Sequence, residues 1–147
     1  MNKLSSVIFA SAISLFVSQT QASPGGDKFV ANCSGCHGED AAGIPGMAPP
    51  LKDAPLWQGL GDKRSEYIAG VVTGGMGGTL HTPAGDTEGM VMPPQDFIDT
   101  ADLVDITAYV LREVNHVPGG PDAAMIDKYK KSPLSHEELL KIRNGGK

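Results

Sequence analysis

The five-residue run Cys33-Ser34-Gly35-Cys36-His37 constrains this chain more than any other feature of its 147 residues. Cys33 and Cys36 are its only cysteines. Three residues is close to one helical turn, so both sulfurs leave the backbone on one side, with an imidazole immediately after them. Several chemistries use such a cysteine pair. A structural disulfide is the first reading for two cysteines in an exported protein, but it leaves the histidine unexplained. A thioredoxin-like dithiol needs a preceding strand in an alternating α/β chain, and no strand pattern precedes Cys33. A zinc site as a rule takes four ligands, and no further cysteine exists.

One reading uses all three side chains. Cys-x-x-Cys-His is the attachment signature of c-type haem. Each thiol adds across one of the two vinyl groups on an edge of the flat ring, and His37 lies beneath the iron as its proximal ligand. A single motif implies one haem, covalent through Cys33 and Cys36.

The chain's start agrees with this chemistry. Lys3 precedes an apolar stretch from Leu4 to Val17, and Thr20-Gln21-Ala22 ends the segment with small side chains at the third-from-last and last positions. This reads as a secretory signal peptide over 1–22, cleaved after about Ala22. The apolar run is shorter than the roughly 20 residues that cross a bilayer. No later segment is long and apolar enough to span one, so a soluble, periplasmic mature protein is expected. The chain has 12 basic residues against 17 acidic ones. Because one of the 12 is Lys3, the chain from residue 23 on carries a net charge of about −6, before any cofactor. Nucleic acid is a poor partner for such a chain, whereas a basic protein surface suits it.

Helical periodicity comes in separated pieces. Ser23–Asn32 reads as a short helix with Pro24 near its start and Gly25 and Phe29 on one face. The prolines of Ala48-Pro49-Pro50-Leu51 require a loop of fixed course. Lys63–Thr73 gathers Tyr67, Ile68, Val71 and Val72 largely on one face and stops in glycines. Residues 74–94 are rich in Gly, Thr and Pro with little periodicity, a long loop that needs a site to support it. A helix capped by Asp99 or Thr100 runs to about Val114, with Leu103, Ile106, Tyr109 and Val110 as its stripe. Val117-Pro118-Gly119-Gly120-Pro121 breaks the chain, a Lys-rich segment follows, and Ser135 with Glu138 fits a capping box opening a terminal helix.

These residues together resemble the class I cytochrome c family over about 24–115. Gly25 and Phe29 stand where that family's first helix has them, and Ile106 with Tyr109 looks like the last-helix pair that crosses it. Pro49 matches the proline whose carbonyl accepts the Nδ1 proton of the proximal histidine, and Leu51 the haem-packing leucine. Met92-Pro93-Pro94 looks like the element that supplies the sixth, methionine ligand. Met76, Met90 and His81 lie in the same loop as rivals. Trp57 resembles the tryptophan that donates to a haem propionate in some members, with a place in the core as its alternative. Tyr67 either faces the cofactor or packs.

The resemblance implies an all-α class I cytochrome c fold, three to five helices wrapped around one covalent haem. The domain is expected over 23–115, with a C-terminal extension at 116–147. Its cofactor-binding residues would be Cys33, Cys36, His37, Pro49, Leu51, Trp57, Tyr67 and Met92, with His37 and Met92 on the iron and no catalytic residue. An iron ligated by His and Met has no open position, so single-electron transfer is the expected work. Burial of the ring among Phe29, Leu51, Ile68, Met92 and Tyr109 would push its potential upward. With few aromatics and 19 glycines, the chain needs the haem as the centre of its core. Partners would be redox proteins, a dehydrogenase as donor and an oxidase or reductase as acceptor, met near Ser34, Gly35 and the Met92 loop. A dedicated subunit or acceptor of a periplasmic dehydrogenase, quinoprotein or sulfur-oxidising, is the main alternative. A five-coordinate haem sensor or enzyme and a thiol oxidoreductase stand behind it.

Overall fold

The computed structural model describes residues 23–82 and 85–145. The expected signal peptide lies outside the described residues. Helix α1, Pro24–Asn32, opens on Ser23, whose hydroxyl accepts the Gly26 N–H at 3.2 Å. Cys33 breaks its geometry, and the one-turn α2, Ser34–His37, follows at once. The Cys36 and His37 N–H groups both point back to the Cys33 carbonyl, at 3.2 and 3.0 Å, which closes the motif into a turn.

α1 packs across α5, Thr100–Tyr109, whose last turn continues as a π turn over Val110–Val114. Phe29 and Tyr109 stack at a tilt with ring centroids 5.4 Å apart. Lys28 reaches Asp102 at 2.7 Å and also pairs with Asp105, tying the exposed rim of the same crossing. Phe29, Ile106 and Tyr109 thus form the expected helix pair.

Helix α3, Ala54–Gly59, is a departure from the sequence reading. The Asp53 carboxylate accepts the Leu56 N–H at 3.1 Å and Pro55 sits in the first turn, two start signals for a helix too short to show periodicity. Helix α4, Arg64–Gly74, buries Tyr67, Ile68, Ala69, Gly70 and Thr73, more of its surface than one stripe, because other elements cover it on two sides.

The 74–94 segment is not wholly loop. Strands β1, Leu80–Thr82, and β2, Gly85–Thr87, form an antiparallel hairpin pairing Leu80 with Thr87 and His81 with Asp86. Three-residue strands are too short for alternation to register in sequence. Met76 and Met92 close a second, isolated bridge, with N–H···O distances of 3.0 and 2.8 Å.

The C-terminal segment is packed into the molecule. Helix α6, Ala123–Lys131, lies on α4 and α5, and its Ile126 and Tyr129 share a core cluster with Ala69, Ile98 and Leu103. Helix α7, His136–Arg143, begins at the expected capping box. Ser135 Oγ accepts the Glu138 N–H at 3.2 Å, and the Glu138 carboxylate accepts the Ser135 N–H at 2.8 Å. Gly70 lets α7 approach, since a Cβ there would stand 2.8 Å from the Leu139 side chain.

Candidate haem site

One apolar cavity of about 1070 Å³, counted out to its open mouth, lies beside the Cys33–His37 turn. All eight residues expected to meet a cofactor line it: Cys33, Cys36, His37, Pro49, Leu51, Trp57, Tyr67 and Met92. Of the rival ligands, Met76 and Met90 also line it. His81 does not; it is exposed on the hairpin, with Nδ1 2.7 Å from Asp86.

His37 is 7% exposed, and its Nδ1 lies 3.4 Å from the Pro49 carbonyl. Burial holds its pKa below the usual histidine range, with the Pro49 hydrogen bond opposing. The ring is therefore neutral, with the proton on Nδ1 and the Nε2 lone pair left for a metal. Pro49 is placed by tight backbone packing: a Cβ on Gly43 would come within 2.7 Å of the Ala48 carbonyl oxygen and of Pro49. Ala41, at φ +60°, turns its carbonyl to accept from both Leu51 and Lys52, at 2.9 and 3.1 Å, which brings the chain back at Leu51. A non-glycine residue there stores on the order of 1 kcal/mol of strain, and buried Ala41 is the pivot of this loop.

Cys33 is half-buried and Cys36 exposed, and the two are not joined in a disulfide. Burial, and then the proximity of Cys36, push the Cys33 thiol up to about 11.

Trp57 is buried and donates its only side-chain N–H to the Leu51 carbonyl at 2.9 Å. The propionate-donor role suggested by resemblance is thus not supplied by this geometry, because the indole proton is already engaged. Its ring packs 6.0 Å from that of Tyr67. Phe29, Ile68 and Tyr109, expected around the ring, are not among the lining residues; the helix crossing and the core take them up.

Two residues escaped the sequence reading. Buried Asn115 accepts the Asp53 N–H at 2.9 Å and donates to the Leu51 and Val110 carbonyls at 2.9 and 2.8 Å, so it joins the end of the π turn to the cavity wall. Arg143, the last residue of α7, lines the cavity and donates to the Tyr67 hydroxyl at 3.1 Å and the His81 carbonyl at 3.0 Å. Burial raises the Tyr67 pKa above the usual phenol value, with the nearby guanidinium opposing.

Two thiols on one turn, an oriented neutral imidazole and thioethers around an apolar cavity form the donor set of a covalently held haem. The family model for cytochrome c matches residues 22–112, and the chain belongs to that family. It is accordingly a haem-based electron-transfer protein with covalently bound haem c. Among curated proteins it is similar to the cbb3-type cytochrome c oxidase subunit FixP of Rhizobium meliloti (strain 1021). The two are 32% identical over 103 residues, which cover 70% of this chain and 33% of that protein. The subunit of the same name from Sinorhizobium medicae (strain WSM419) is 31% identical over the same length and shares. The chain thus spans about a third of the length of these relatives. Among the described residues, no helix is long and apolar enough to cross a membrane.

Proposed function

We propose that this chain is an exported, periplasmic single-electron carrier holding one haem, attached through Cys33 and Cys36 and ligated by His37 and Met92. The observation that carries this reading is the convergence of those four residues on one apolar cavity, with the His37 ring oriented by Pro49. When bound, haem c supplies a ferric/ferrous couple. The chain's own residues set the conditions for it. Pro49 fixes the tautomer that frees Nε2 and raises its basicity. Met92 is held by its reciprocal backbone bonds to Met76, and the Gln95 N–H anchors the far side of its loop to the Val72 carbonyl at 2.9 Å. Buried Met76 is part of the core cluster, whereas Met92 only packs against it, which supports Met92 as the ligand. Leu51, Trp57, Val71 and Leu80 keep water away from the site, and low polarity there favours the less charged, ferrous form.

A redox titration of the purified protein should give one one-electron wave, and the reduced form should not bind CO. Rapid CO binding would show an open position and overturn the carrier reading in favour of a sensor or enzyme.

A second reading is a cytochrome subunit or electron acceptor of a larger complex. The two similar proteins are both cbb3-type oxidase subunits, which favours an oxidase over a dehydrogenase as its setting. Co-purification of the chain with a terminal oxidase from native membranes would support it, and a free monomer in the periplasmic fraction would count against it.

A further inference from the structure

The C-terminal helix lies beyond the residues that match the family, yet it places a cation in the haem cavity. Among the described residues, Arg143 is the one Lys or Arg side chain that lines it, and no Asp or Glu does. Its position is fixed from both ends of α7. The capping box sets the start of the helix, and fully buried Leu139, with Leu140 and Ile142, seats it on the core. The two acceptors Arg143 finds, the Tyr67 hydroxyl and the His81 carbonyl, are both neutral. A guanidinium carries five N–H donors, so these bonds leave most of them open. Among the described residues, no carboxylate forms an ion pair with Arg143; Arg64 and Arg112 also lack one, but of the three arginines Arg143 alone lines the cavity. A half-buried cation without a counter-charge is costly, and a planar fork is suited to a carboxylate.

Haem brings two carboxylates, its propionates. We infer that Arg143 is the counter-ion of a haem propionate, held in place by Tyr67 and the His81 carbonyl, so that the C-terminal extension is part of the redox site. The inference rests on the covalent-haem reading. Arg143 is a positioning and tuning residue in this account. Its positive charge favours the ferrous form, and it holds the propionate ionised.

The test uses holoprotein carrying Arg143→Gln and Arg143→Lys. At a fixed ambient potential, Arg143→Gln should raise the ferric-to-ferrous ratio about threefold to tenfold, the upper end equal to a fall of about 59 mV in midpoint potential. Its potential should also become pH-dependent as the released propionate titrates. Arg143→Lys, which keeps the charge, should restore most of the wild-type value. An Arg143→Gln potential equal to wild type, in protein that still carries its haem, overturns the inference and leaves the haem reading standing. Absence of haem from the wild-type protein would instead sink the haem reading. Should Arg143→Gln fail to fold, the wild type decides the matter alone. With ¹³C-labelled haem, at least one propionate should show no titration between about pH 5 and 8. Two propionates that both titrate there overturn the inference.

Discussion

Gly25 of α1 lies so close to α5 that a Cβ on it would stand 2.5 Å from the Asp105 carbonyl oxygen and 2.9 Å from the Tyr109 Cβ. Both obstacles are backbone or the root of a side chain, and neither can swing aside. Gly25→Ala must therefore push the helices apart and loosen the Phe29–Tyr109 stack. Overpacking of this kind costs about 1–3 kcal/mol. Urea denaturation of the holoprotein should show that loss as a lower midpoint at unchanged slope, and an unshifted midpoint would contradict the close crossing.

Asn115 offers a test that does not depend on the cofactor's chemistry. At 3% exposure it satisfies three backbone groups, of Leu51, Asp53 and Val110. A buried polar group left unpaired costs about 1–3 kcal/mol. Leu51 keeps the Trp57 N–H as a partner and the Asp53 N–H keeps the Leu51 carbonyl at 3.0 Å, so the penalty in Asn115→Ala falls mainly on the Val110 carbonyl. A loss of about 1–3 kcal/mol is expected. Stability within about 0.5 kcal/mol of wild type, the range of an ordinary surface change, would show that the wall is held by other means.

Leu139 measures how far α7 belongs to the fold. Fully buried against α4, it should cost about 2–5 kcal/mol when cut to alanine. The unfolding transition should remain single. A Leu139→Ala protein with wild-type stability, or one showing a separate early transition for the C-terminal segment, would mean that 116–145 is only loosely attached.

The two methionines joined across the isolated bridge should behave differently. Met92→Ala should abolish the ferric thioether-to-iron charge-transfer band and lower the potential, because loss of a methionine ligand removes its preference for ferrous iron. Met76→Ala should keep the band but lose about 2–5 kcal/mol of stability, as expected for a truncated core side chain. The reverse pattern would move the ligand to Met76.

Much of this architecture is legible in sequence because its signals are local. The Cys33–His37 spacing, the Pro49 position, the Ser135–Glu138 capping box and the apolar stripe of α5 each lie within a few residues of what they determine. The misses have a common cause in distance or brevity. α3 and the β1–β2 hairpin are too short to show a period. α6 carries Lys128, Lys130 and Lys131 near its end, so it reads as a basic segment although Ile126 and Tyr129 are buried. Asn115 and Arg143 act on residues 62 to 76 positions away, and nothing in the residues around them announces it. In sequence Arg143 is an ordinary cation at a helix C-terminus, where the helix dipole alone would explain it. Trp57 shows the converse: its type matched a familiar role, but the Leu51 carbonyl 2.9 Å away takes its proton.

Attachment of one haem through Cys33 and Cys36 is decided by the intact mass of the purified protein after acid-acetone extraction. The expected mass is that of the processed chain plus one haem, with no titratable thiol. A mass equal to the chain alone, with two free thiols, would contradict it.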